Sequence, residues 1–139
     1  MHSSPRMPTC TTLNPDILWT IFTHVAADYE EPMDDRLACI LHASLVCRSW
    51  RSIILPATTI WSRLVYVDSD RPGSRRSTLD LLKLVVERWG AGSRLCIEAT
   101  GEIGHPIDLD ARSFLSDVIV REWDRIERMS LYAIIGPEN

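Results

Sequence analysis

The chain has 139 residues, 45% of them hydrophobic and 24% charged, a globular composition that excludes wholesale disorder. This length suits one ordinary domain or two very small ones and is short for enzymes built on doubly wound sheets or large barrels. Fifteen basic against 19 acidic residues give a formal charge of −4, which argues against a general nucleic-acid binder.

Residues 1–12 are polar, lack the apolar core of a signal peptide and are expected to form a disordered tail. The first helix opens at Asn14-Pro15-Asp16. Asn14 is a cap for free N–H groups, Pro15 suits the first turn, and Asp16 faces the positive end of the helix dipole. Leu18, Ile21, Phe22 and Val25 follow at helical spacing, and Ile17 widens that stripe. The run from Asp28 to Asp35 holds five acids and Pro32, and reads as a solvated loop ending in a cap at Asp34 or Asp35. A second helix then carries Leu37, Ile40, Leu41, Ser44 and Leu45 on one face. A third, with Cys47, Trp50 and Ile54, is ended by Pro56. Helices this short are unstable alone, so they must pack together or on a partner.

Every glycine lies at or after Gly73, which suggests a change of architecture. The stretch from Asp68 to Arg76 is charged and carries proline and glycine, so residues 65–78 are expected to link two regions. Ser77-Thr-Leu-Asp80 resembles a capping box for a helix to about Trp89, closed by Gly90. A further helix is expected from about Ala111 to Trp123, with Leu115, Ile119 and Trp123 inward. Three runs led by Arg63, Arg94 and Arg128 align as short strands around these helices. Strand-helix-strand-helix-strand order favours parallel pairing. The spacing exceeds the about 20–29 residues of a leucine-rich repeat but suits a strand-plus-helix unit.

Leu13-Asn-Pro-Asp-Ile-Leu-Trp-Thr-Ile-Phe-Thr-His-Val25, Leu41-His-Ala-Ser-Leu-Val-Cys-Arg-Ser-Trp-Arg51 and Ile60-Trp-Ser-Arg-Leu64 together resemble an F-box. Asn14 stands where many members have proline, and the connector from Ala26 to Arg36 is longer than in compact members. The later strands and helices are similar to the leucine-rich-like tails of many fungal F-box proteins. The resemblance implies a mainly α fold: a three-helix F-box over residues 13–64, the linker, then a partial α/β repeat-like region over 79–139. Only about two strand-helix units and a last strand follow the box, which suggests a truncated receptor.

The resemblance also implies a non-catalytic subunit of an SCF cullin-RING ubiquitin ligase. Such a subunit docks on the Skp-family adaptor and recruits a protein substrate through its C-terminal region. Leu13, Pro15, Ile17, Leu18 and Ile21 are then expected at the adaptor. Leu41, Leu45, Val46 and Trp50 divide between core and interface, and Arg48 and Arg51 pair with acidic adaptor groups. No cofactor, metal, membrane or nucleic acid is implied, and the expected compartment is the cytoplasm and/or nucleus.

Three other readings compete. Arg48-Ser-Trp-Arg51 on a third helix suits a helix-turn-helix DNA reader, which the acidic loop and net charge count against. His24, Cys39, His42 and Cys47 match no standard zinc spacing, and no CxxC pair occurs, so the cysteines read as free, buried and reduced. The sequence lacks a phosphate loop, a GxSxG elbow and an HExxH helix, and Asp108 and Asp110 suit a helix start better than a catalytic pair.

Overall fold

The computed structural model describes residues 13–69, 78–101 and 105–132. The expected tail 1–12, the cap at Ser77, the cluster Arg71, Arg75 and Arg76, and the segment 133–139 lie outside the described residues. Within them the fold is mixed. Helices α1 (Pro15–Ala27), α2 (Met33–Ser44), α3 (Arg48–Ile54) and α4 (Thr58–Trp61) precede strand β1 (Val65–Asp68). Then come α5 (Thr78–Arg88), β2 (Leu95–Thr100), α6 (Leu109–Arg121), a 3-10 turn (Trp123–Arg125) and β3 (Ile126–Tyr132). The mainly α expectation agrees in outline, with a small sheet added to the helices.

Local chemistry accounts for the helix ends. The Asn14 side chain accepts the Asp16 N–H at 2.9 Å, and Pro15 occupies the first turn. Asp108 caps α6 by accepting from the Ala111 N–H at 3.3 Å. Helix α2 begins earlier than its acids predict: Pro32 stands at the cap, and Asp34 and Asp35 fall in the first turn. This start carries Met33 into the core. Gly90 follows α5 at φ +69°, a conformation glycine adopts without the Cβ penalty.

The strands form one parallel sheet in the order β1-β2-β3, with Val65 beside Ile97 and Ala99 beside Leu131. The run led by Arg63, expected as a short strand, is β1, so the linker expected over 65–78 begins too early by the length of that strand. Its valines are as buried as any residue in the chain, and an apolar alternation of this kind has to be covered on a sheet face. Alternation divides the sheet into two faces. Val65, Val67, Leu95, Ile97 and Ala99 share the face packed by Leu82 and Val85 of α5 and Ala111, Leu115 and Val118 of α6. Tyr66, Cys96, Glu98, Thr100, Arg128, Ser130 and Tyr132 share the other.

One continuous core unites the helical and sheet regions, from Leu18, Phe22 and Ile40 through Ile54, Ile60, Trp61 and Leu64 to the strands. The short helices therefore gain stability from the sheet as well as from one another. Trp123, expected inward, is 61% exposed, because α6 has ended and the 3-10 turn carries its ring outside.

Two measurements test these points. A Cβ on Gly90 would lie 2.7 Å from Thr58 Cγ2, at a positive φ, whereas one on Gly92 meets nothing within 4 Å. Gly90→Ala is expected to lower unfolding free energy by about 1–2 kcal/mol in urea titrations, and Gly92→Ala by less than about 0.5 kcal/mol. Burial, with Asp68 adding to it, pushes the Tyr66 phenol up to about 12 from 10.0. The folded state thus holds a proton that the unfolded state releases first. Tyr66 stability is complete below pH 10 and is lost as pH rises towards 12. Stability measured from pH 8 to 11 should fall above pH 10, and less steeply in Tyr66→Phe.

Candidate functional site

The residues expected at an adaptor surface separate cleanly by burial. Leu13, just before the α1 cap, and Ile17 and Ile21 on α1 recur at four-residue spacing and are 45%, 51% and 45% exposed. Pro15 is exposed beside them. At the turn from α2 to α3, Leu45 is 75% exposed and Val46 is 53% exposed. Leu18 is a correction: it is buried, with Phe22 and Ala26, on the inner face of α1. The inner stripe thus runs 18, 22, 26, and Ile21 belongs outside it.

Trp50 and Leu41 are half-buried and packed against the core. The Trp50 ring meets Phe22 edge-on, with centroids 5.3 Å apart, which places it first as a packing group. Arg48 and Arg51 are exposed and form no ion pair among the described residues. Arg51 joins Leu41, Leu45, Leu55, Leu84 and Trp61, with Ser44 and Arg88, around a hollow of about 150 Å³. Trp19, 44% exposed on α1, is a further large apolar group in solvent, outside the helical stripe of Leu18, Ile21, Phe22 and Val25.

The cysteines depart in part from expectation. Cys96 is buried, Cys47 is intermediate, and Cys39 is exposed on the outer side of α2. No group of three or more potential metal ligands occurs among the described residues.

A second feature was not legible in the sequence. The connector after α1 lays Tyr29 against the polar face of the sheet. Its hydroxyl accepts from Arg63 Nη1 at 2.5 Å and lies 3.5 Å from Cys96 Sγ. The Arg128 guanidinium sits 4.0 Å from its ring centroid and that of Arg36 sits 5.3 Å away. Burial raises the Tyr29 pKa, the Cys96 hydrogen bond adds to this, and Arg63 opposes it. Arg36 is buried, donating to the carbonyls of Ala26 and Glu31, and burial lowers its pKa against the pull of Glu98. Beside this cluster lies a cleft of about 360 Å³ between the connector and β2 and β3.

No protein-family model, curated protein or solved structure compared with the chain matches it. No helix among the described residues is long and apolar enough to cross a membrane.

The burial difference predicts separable effects of substitution. Trp50→Ala is expected to cost about 1–3 kcal/mol in denaturant unfolding, whereas Ile17→Ser and Leu45→Ser should each stay within about 0.5 kcal/mol.

Proposed function

We propose that the chain is an F-box substrate receptor of an SCF cullin-RING ubiquitin ligase, acting in the cytoplasm or nucleus. It would dock on the Skp-family adaptor through its N-terminal helices and hold a protein substrate through its C-terminal strand-helix region. The observation that carries this reading is the exposure of Leu13, Ile17, Ile21, Leu45 and Val46 within the segments that resemble an F-box. Isolated exposed apolar side chains are ordinary, but five within those segments favour a partner surface.

The proposed division of labour is physical. Ile17, Ile21, Leu45 and Val46 supply apolar anchors, while Leu18, Phe22 and Trp50 hold the helices that present them. Arg48 and Arg51 add orientation on an acidic partner, and exposed pairs of this kind contribute at most about 1 kcal/mol each. In this reading the chain carries no catalytic group, and ubiquitin transfer belongs to other subunits.

Co-purification with a recombinant Skp-family adaptor tests the proposal. A complex of micromolar affinity or tighter is expected. Ile17→Asp combined with Leu45→Asp should weaken it more than roughly tenfold, at unchanged helical content. Wild-type chain that stays unbound at micromolar concentration overturns the reading. DNA affinity that falls steeply with salt would favour the helix-turn-helix alternative instead.

A further inference from the structure

The hollow between α2, α3, α4 and α5 carries charge of one sign. Its side-chain donors are Ser44, Arg51, Trp61 and Arg88, and its lining holds no carboxylate. The Ser44 hydroxyl already donates to the Leu41 carbonyl at 2.6 Å, and the Trp61 indole donates to that of Ile54. The two guanidiniums remain. Neither forms an ion pair among the described residues. Arg88 Nε is buried and has no hydrogen-bond partner among them. A donor withdrawn from water without an acceptor opposes folding, and an acceptor brought by a second molecule would complete it.

The walls of the hollow are Leu41, Leu45, Leu55, Leu84 and Trp61. At about 150 Å³ it is smaller than the roughly 300–1,000 Å³ of small-molecule pockets and has room for one side chain. Leu45 is 75% exposed and is followed by Val46, which is 53% exposed. The hollow is therefore continuous with an exposed apolar surface, as suits a polypeptide rather than a metabolite.

We infer that this hollow seats an acidic–apolar segment of a partner protein, with a leucine-type side chain between the walls and an adjacent carboxylate on Arg51 and Arg88. Arginine offers paired N–H donors to a carboxylate, and walls that exclude water strengthen the contact. A strongly hydrated phosphate would gain nothing from five apolar walls, so charge and lining together select a carboxylate beside an apolar group. The site goes beyond the adaptor reading: Leu84 and Arg88 belong to α5, outside the segments that resemble an F-box, and it is tested without the adaptor.

The probe is a fluorescein-labelled heptapeptide with a central leucine between two glutamates in a serine background, titrated with the full chain by fluorescence anisotropy. Binding in the micromolar range is expected. It should weaken about tenfold or more when both glutamates become glutamine, and about fivefold or more when the leucine becomes serine. Arg88→Met keeps an unbranched stem and removes the unpartnered donor. The free variant should melt about 1–4 °C higher, while peptide binding weakens about tenfold or more. If that variant does not fold, Arg51→Gln at an exposed position supplies the second test, with binding weakened about fivefold or more. Equal binding of the glutamate and glutamine peptides, or no binding at millimolar concentration, overturns the inference. So does a folded Arg88→Met chain that binds the peptide as the wild type does, or displacement of the peptide by equimolar duplex DNA. Adaptor binding without peptide binding overturns this inference alone, and the converse overturns only the adaptor reading.

Discussion

Trp61 has to be fully enclosed and have its indole N–H satisfied at once, and the rest of the fold is arranged around that requirement. The ring is 0% exposed, and Nε1 donates to the Ile54 carbonyl at 2.9 Å. That carbonyl belongs to the end of α3, where main-chain acceptors lack intrahelical donors. The bond satisfies the indole donor on a carbonyl that also accepts the Ala57 N–H at 3.1 Å, and it fixes α3 against α4. Ile60 and Leu64 flank the indole and lead into β1, so one aromatic side chain joins the helical region to the sheet. A large indole without its partner would leave a buried donor costing about 1–3 kcal/mol. Here the same geometry fills the core and satisfies the donor.

The consequence for the N-terminal helices is a strict division of their apolar residues. Leu18, Phe22 and Ala26 face this core and are enclosed. Ile17 and Ile21 occupy the same helix, a turn apart, and remain in solvent. Hydrophobicity alone does not separate them. The helix presents one wall of the core and has more apolar surface than that wall requires, which is the physical argument for a partner.

Much of the element order was readable in advance. Asn14, Pro15 and Asp108 announced helix starts, Gly90 announced a helix end, and the strand-helix alternation implied parallel pairing. What escaped was tertiary. Leu18 and Ile21 are equivalent to a periodicity argument, and a rotation of the helix decides which is buried. The strand at 65–68 was legible as the apolar run led by Arg63, but the polar stretch that follows it drew the linker bound back over the same residues. Tyr29 sits in an acidic connector, and the arginines that engage it, Arg63 and Arg128, are remote in sequence. Trp123 lies one turn beyond the last buried face of α6, where a 3-10 turn breaks the helical period.

The all-parallel sheet also bears on the order of assembly. Val65 can meet Ile97, and Ala99 can meet Leu131, only after the intervening helix has been looped back across the sheet. The chain entropy of those closures is lost before the pairing is gained, so sheet closure is slow relative to contacts among α1 to α4. During synthesis the helices emerge first and wait with Ile54, Ile60 and Trp61 uncovered until β1 and its neighbours arrive. The interval in which this apolar surface is bare is the period when the nascent chain is most exposed to aggregation and most dependent on chaperone cover.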